Sequence, residues 1–371
     1  MHSVRFGMVN MFMTTQERPI GILYEHPEWF KLLFGELDRR GIVYEKLYAD
    51  EHWFDPAARE SRYSLVVNRV SPSSYLRGHA ASILYTRQYL AHLQEIGTPV
   101  VNGAAAYRLE TSKALQLLLF EKLGVRYPRA RVVNHPSQLV HAAEGLSYPV
   151  IVKPNVGGSG ALMQRFESPD ALAEASSAGG LDFGIDRTAL VQEYLAPAEG
   201  AIVRVEVLNG EYLYGIKIHT DPTEGFNLCP ADICQVPQML QAPQAPDAGG
   251  NAGAATGAQV RGDAAEGEAC DFGAAALTVT KKALQIEAYT PPRDVVEDAI
   301  RLVKAGGLDV GGVEYLVAAR DGLPYFYDVN ALSNFVTDAV NVVGFDPTAR
   351  FVEYLEQRAG ITATTRQLVV V

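Results

Sequence analysis

The sequence predicts an α/β protein in which an open, mostly parallel sheet is followed by lobes of antiparallel hairpins and helices. Three observations carry this expectation. Short β-branched runs alternate with amphipathic helical stretches through the first hundred residues. Later strands turn back on themselves at 147–166 and 313–329. An apolar content of 48% with 20% charged residues supplies a core and excludes wholesale disorder.

In chain order, residues 4–10 read as a strand, 27–40 as an amphipathic helix and 42–48 as a second strand. The run SLVVNRV at 64–70 reads as a buried strand, 75–96 as a long helix and 99–102 as a short strand. Glu110-Thr-Ser-Lys113 opens an apolar helix over 114–123, which Gly124 ends with Pro128 just beyond. A strand at 131–134 and a helix over 136–144 lead to SYPVIVKPNVGGSGALMQRF. There a strand at 150–153 enters a glycine-rich loop and returns at 161–166. A helix over 169–178 precedes strands at 189–194, 201–208 and 211–219. Further on, 291–305 is a helix, 313–319 and 324–329 form a hairpin, and 347–358 is a final helix. The expected domains are an N-terminal α/β unit (1–103), a central lobe carrying the glycine-rich loop (104–190) and a C-terminal lobe (191–371).

Residues 241–276 hold 13 Ala and 7 Gly, side chains too small to offset the entropy of ordering the chain. Patterned sequence resumes afterwards, so 238–276 reads as a disordered surface insertion. With 32 Lys+Arg against 43 Asp+Glu, the net charge is −11, which leaves no footprint for binding nucleic acid or an anionic membrane. No stretch reaches the ~18 apolar residues that span a bilayer, and the first residues lack the apolar run of a secretory signal. A cytoplasmic location is expected. Cys229, Cys234 and Cys270 have no paired spacing and no histidine cluster, so neither a disulfide framework nor a zinc site is expected.

Alone, Gly157-Gly158-Ser159-Gly160 is a turn signal, and neither GxxxxGK[ST] nor GxGxxG occurs. Its neighbour changes the reading. Lys153 sits in the apolar strand VIVKP, where an ammonium is costly unless it meets an anion. Loop N–H groups beside a fixed ammonium suit a polyphosphate. A second group is acidic: Glu314 lies in GGVEYLV, and Asp328 and Asn330 stand i and i+2 on one strand face in YFYDVN. If Arg320-Asp321-Gly322 is a three-residue turn, residue 319 pairs with 323 and Glu314 falls opposite Asp328. A two-residue turn would split the carboxylates onto opposite faces. Three hard oxygen donors on one face suit Mg²⁺. Arg204, inside the β-branched AIVRVEV, carries a fork that matches phosphoryl oxygens; a snorkelling surface arginine is the competing reading. Lys217 and His219 stand two apart on the next strand, the latter as a candidate substrate contact or base.

This ordered set (Lys113 at a helix entry, VIVKPNVGGSG, VQEYL, an arginine strand, GGVEYLV, YFYDVN) resembles the ATP-grasp superfamily, and within it the RimK-like amino-acid ligases, over about residues 65–334. The resemblance implies an ATP-grasp fold behind an N-terminal Rossmann-like pre-ATP-grasp domain. It implies that Lys113 and Lys153 contact the nucleotide phosphates and that Gly157, Gly158, Ser159 and Gly160 form a lid loop. Gln192, Glu193 and Tyr194 would line the adenine pocket, with Lys217 and Asn227 also at the ATP. Glu314, Asp328 and Asn330 would hold Mg²⁺ or Mn²⁺, where relatives more often have Asp, Glu and Asn. Arg204 would act on the transferred phosphoryl group. Two departures stand out. Ile202 replaces an Asp that relatives often carry two residues before the arginine, which makes Glu199 a candidate ribose contact. Gly225-Phe226-Asn227 keeps the Asn of an Arg-x-Asn pattern without its Arg, so the acceptor's identity does not carry over.

By the same resemblance, the activity would be amide formation. ATP would phosphorylate a substrate carboxylate, and an amine would displace phosphate from the acyl phosphate. Partners would be small carboxylates and amines, among them an amino acid or small peptide. Homo-oligomers are frequent among such ligases. Two other readings stay open: a carboxylate–thiol ligase or carboxylase-like member with the same nucleotide residues, and an ATP-binding protein without catalysis.

Overall fold

The computed structural model describes residues 12–15, 18–26, 28–158, 160–220 and 284–365. The strand expected at 4–10, the insertion at 238–276, Ser159, Asn227 and the three cysteines lie outside the described residues. After β1 (Phe12–Thr15), the strands β2 (Ile20–Tyr24), β3 (Tyr44–Tyr48), β4 (Leu65–Arg69) and β5 (Val100–Val101) form a sheet in the order β3-β2-β4-β5. Every pair in it is parallel. All of β4 is buried, as expected for a strand covered on both faces. Helix α1 (Lys31–Arg40) packs Leu33, Phe34 and Leu37 with Ile20 and Ile22, while α2 (Ala80–Glu95) packs Tyr89, Leu90 and Leu93 with Leu23 and Val66. The helix expected over 75–96 is broken. Ser74–Arg77 is a 3-10 turn closed by Gly78 at φ +86°, and α2 starts only at Ala80.

Helices α3 (Ala104–Glu110) and α4 (Lys113–Leu123) lead to the second sheet. Ser112 caps α4, its Oγ accepting from Leu115 N at 3.3 Å. Strand β6 (Ala130–Val133), helix α5 (Leu139–Ala142), strands β7 (Val150–Pro154) and β8 (Gln164–Phe166), helix α6 (Pro169–Ala178) and strand β9 (Ala189–Glu193) follow. The sheet is antiparallel in the order β6-β9-β7-β8. Leu139 of α5 and Leu172 of α6 pack on its Val150, Val152 and Val191.

The third sheet combines β10 (Ala201–Leu208), β11 (Glu211–His219), β12 (Ile286–Ala288), β13 (Val310–Val317) and β14 (Pro324–Asn330) in the antiparallel order β12-β11-β10-β13-β14. Between β12 and β13, helix α7 (Arg293–Ala305) buries Val295, Ala299, Leu302 and Val303 against Val203, Val205 and Val207. Helices α8 (Ala339–Val343) and α9 (Pro347–Arg358) precede β15 (Thr362–Thr365), which pairs antiparallel with β1.

The β13–β14 hairpin corrects the expected turn. Residue 318, not 319, faces 323: Ala318 N donates to Leu323 O at 2.9 Å. Gly322, at φ +71°, closes a four-residue turn by donating to Ala318 O at 2.8 Å. The tighter turn is ruled out because Ala319 N donates to Ala196 O at 2.9 Å. Run straight, this ladder would set Glu314 opposite Tyr327 and turn Asp328 to the other face. A β-bulge at Tyr327 inserts one residue and restores the pair: Tyr315 faces Phe326, but Glu314 faces Asp328 and Gly312 faces Asn330.

Candidate active site

A cleft of ≈ 360 Å³ is lined by Lys113, Lys153, Gly157, Gly158, Gly160, Gln192, Glu193, Tyr194, Arg204, Glu314, Asp328 and Asn330. Register explains the far wall. Arg204 of β10 faces Glu314 of β13, which faces Asp328 of β14, so three charged side chains form one row across the sheet. Arg204 Nη1 donates to Glu314 Oε1 at 2.8 Å, and Asn330 Nδ2 lies 3.4 Å from the same oxygen.

The two lysines arrive from different elements and are fastened together. Lys113 opens α4, and its backbone N donates to Asn155 O at 3.1 Å. Ala114 N donates to Asn155 Oδ1 at 2.9 Å. Asn155 stands two residues beyond Lys153, so one buried amide sets the spacing between helix start and strand end. The role of Asn155 is invisible in the sequence, where KPN reads as the edge of a loop.

Charges are unevenly satisfied. Lys113 Nζ donates to Asp328 Oδ1 at 2.9 Å. Burial lowers the Lys113 ammonium, but the carboxylates of Asp328, Glu110 and Glu314 together outweigh it, and the net shift is upward. Burial opposes ionisation of Asp328, yet Lys113, Lys153 and Arg204 together outweigh it and hold the carboxyl below its usual value. Burial raises Glu314 in spite of Arg204. Lys153 is buried, with no ion pair among the described residues. Burial, then the nearby Lys113 ammonium, push it down to about 7. Glu110, read only as a helix entry, also lines the cleft; it accepts a hydrogen bond from Ala331 N, and burial pushes its carboxyl up to about 7.

No group of three or more His, Cys, Asp or Glu is arranged for a metal among the described residues. The donor set is two carboxylates and an amide, which suits a hard cation that completes its shell with phosphate and water. At the other end, Gln192 is buried and its Oε1 has no hydrogen-bond partner among the described residues. Glu193 accepts from Ser147 N at 2.9 Å, and the Arg165 guanidinium lies 4.2 Å from the centre of the Tyr194 ring.

Lys217 is not brought to the cleft, which corrects its expected place at the ATP. It faces Val203, one residue out of step with Arg204, and therefore lies on the other side of the sheet. Its Nζ donates to Glu199 Oε2 at 3.0 Å, which also engages the candidate ribose contact. His219 lies 3.2 Å from Glu287.

Residues 110–225 match the family model of the RimK-like ATP-grasp domain. A probable α-L-glutamate ligase of Teredinibacter turnerae is 27% identical over 142 residues, 37% of this chain and 45% of the relative. A D-alanine–D-alanine ligase of Nitrosospira multiformis is 26% identical over 209 residues, 53% of this chain and 65% of the relative. The matched segment thus spans between 45% and 65% of these relatives' length. Among solved structures, the ATP-grasp ligase PsnB with a minimal precursor has a TM-score of 0.58 at 18% identity, covering 92% of this chain and 100% of that one. D-cycloserine synthetase DcsG has a TM-score of 0.59 at 18% identity, covering 92% and 99%. At these identities the likeness is one of fold.

Proposed function

We propose that this chain, an ATP-grasp protein with a RimK-like domain, is a cytoplasmic, ATP- and Mg²⁺-dependent carboxylate–amine ligase acting on an amino acid or small peptide. The observation that carries the reading is the convergence of Lys113, Lys153 and Arg204 with Glu314, Asp328 and Asn330 in one cleft. Without ligand, Lys113 is paired with Asp328 and Arg204 with Glu314. A bound triphosphate exchanges these partners. Lys113 and Lys153 would take phosphate oxygens, Arg204 would take the terminal phosphoryl group, and Glu314, Asp328 and Asn330 would hold the cation. When bound there, Mg²⁺ would supply neutralisation of phosphate charge. Gly157, Gly158 and Gly160 would cover the phosphates with backbone N–H groups. The unpartnered Gln192 Oε1 suits the amino group of adenine, beside Glu193 and Tyr194.

The chemistry follows from a poor leaving group. An amine cannot expel oxide from a carboxylate. Transfer of the γ-phosphoryl to a carboxylate oxygen, with release of ADP, creates an acyl phosphate. The amine nitrogen then bonds to the acyl carbon, phosphate leaves, and the nitrogen gives up a proton. The protein's part is to orient the groups and offset the charge that develops on the transferred phosphoryl.

The test is ADP release from ATP and Mg²⁺ with pools of amino acids, with the product identified by mass spectrometry. ADP should appear in step with a new amide, and Lys153→Ala and Asp328→Ala should each cut turnover by about 10²-fold. An absence of ATP binding in calorimetry with Mg²⁺ would sink the nucleotide reading. A thioester or carboxylated product would sink the amine acceptor alone.

A further inference from the structure

We propose that Glu206 is a positioning residue that holds Arg204 against the terminal phosphoryl group, in a cradle completed by Ser333 and Gly312. The inference rests on the assignment of Arg204 to the phosphoryl group and extends it to residues that do not touch the nucleotide. Glu206 follows Arg204 by two on β10, ahead of the irregularity at Glu206/Val207, so both side chains leave the same face of the strand. Arg204 is 6% exposed and Glu206 1%, which excludes a surface pair. Glu206 does not line the cleft; it acts on Arg204 from within the protein.

The guanidinium is gripped on several edges. Its Nε donates to Glu206 Oε1 at 2.6 Å, and its Nη2 donates to Ser333 Oγ at 3.3 Å. Ser333 Oγ donates in turn to Glu206 Oε1 at 2.8 Å, which closes a ring of three groups. Nη1 donates to Glu314. Beneath the guanidinium, a Cβ at Gly312 would sit 2.5 Å from Arg204 Cζ and 2.6 Å from its Nε, so only glycine lets the plane lie there. Ser333 is itself anchored, because Arg69 Nη2 of the parallel sheet donates to its carbonyl oxygen.

Two carboxylates on one guanidinium are one more than its charge balances, at the edge of a site for a polyanion. The excess is accounted for if the two have different duties. Glu314 passes to the cation when nucleotide binds and releases the Nη1 end toward phosphate. Glu206 stays. Without it, the guanidinium would lose its charged anchor at the moment its direction matters.

The experiment compares Mg·AMPPNP with Mg·ADP binding by calorimetry, since only the former carries a terminal phosphoryl group. Wild type should prefer Mg·AMPPNP. Arg204→Ala and Glu206→Gln should each reduce that preference by about tenfold while Mg·ADP affinity stays within about twofold. The double variant should fall no further than Arg204→Ala. If Arg204→Ala leaves the preference intact, the assignment of Arg204 fails. If Arg204→Ala loses it and Glu206→Gln keeps it, or if Glu206→Gln weakens both ligands equally, the positioning role fails while Arg204 stands. Should Glu206→Gln not fold, Gly312→Ala pushes the same guanidinium from its seat, and an unchanged preference there overturns the cradle.

Discussion

Lys153 is a buried ammonium whose expected partner is a ligand. Its value of about 7 in the free protein makes nucleotide binding a proton-linked event. A triphosphate favours the charged form and raises the pKa in the complex. Below pH 7 both states hold the proton and affinity is flat. Above it the free protein loses the proton and the complex regains it, so Mg·ATP affinity falls by up to about tenfold per pH unit. Calorimetry at pH 8 in buffers of different ionisation enthalpy should register proton uptake that shrinks in Lys153→Met, the remainder belonging to Glu110, whose carboxyl also lies at about 7 in the cleft. Equal heats in all buffers at pH 8 would mean that Lys153 is already charged. Lys153 was legible in the sequence because an ammonium inside VIVKP breaks an apolar pattern. Glu206 was not. Arg204 and Glu206 alternate with valines as a solvent-facing stripe would, and only the pairing of β10 with both neighbours shows them buried.

At the level of elements, the site depends on joints more than on the elements themselves. The start of α4 and the end of β7 meet at Asn155, which accepts from Ala114 N and donates through Nδ2 to Asp186 Oδ2 at 2.6 Å. Asn155→Ala removes both bonds, and because Asp186 is exposed and can turn to water, it should cost only about 0.5–1.5 kcal/mol of stability in thermal or denaturant unfolding. It should also weaken Mg·ATP binding, because the spacing of Lys113 and Lys153 is no longer held. A variant that loses stability but binds Mg·ATP as wild type does would separate the joint from the site. The β13–β14 hairpin shows how an expected pairing can arise by another route. The pair Glu314 and Asp328 was read correctly, but through a turn that does not form. Backbone donors decided the matter: Ala319 N goes to Ala196 O, and Phe326 N goes to Arg126 O at 2.8 Å. Both acceptors lie more than a hundred residues away in sequence, beyond the reach of any local rule.

For the molecule as a whole, the net charge of −11 gives no hint of a cationic cleft. In the free protein the cleft's charges largely satisfy one another, and this couples nucleotide to cation. ATP alone would take Lys113 and Arg204 from their carboxylates and leave Asp328 and Glu314 facing phosphate. ATP with Mg²⁺ re-pairs every charge. Mg·ATP at about a hundred times its Kd should therefore stabilise the fold by about 2.7 kcal/mol, seen as a rise in Tm. ATP with a chelator should give little or none. An equal rise in both would remove Glu314 and Asp328 from the cation. No helix among the described residues is long and apolar enough to cross a membrane. By itself the sequence determined most of the strands and helices, because periodicity and capping act over a few residues. It missed β2 (Ile20–Tyr24), which lies between β3 and β4 in the parallel sheet, and ran the turn at Ser74–Arg77 into α2. It also determined which side chains were chemically out of place: the lysine in β7, the arginine in β10 and the acids at the last hairpin. The tertiary structure alone decided which of them meet. Lys217 lies one residue out of step and faces away, Asp328 reaches Glu314 only through the bulge at Tyr327, and Glu206 joins Arg204 inside the sheet. In a sheet, a shift of one residue reverses every side chain, and that shift is set by distant carbonyls competing for the same N–H groups.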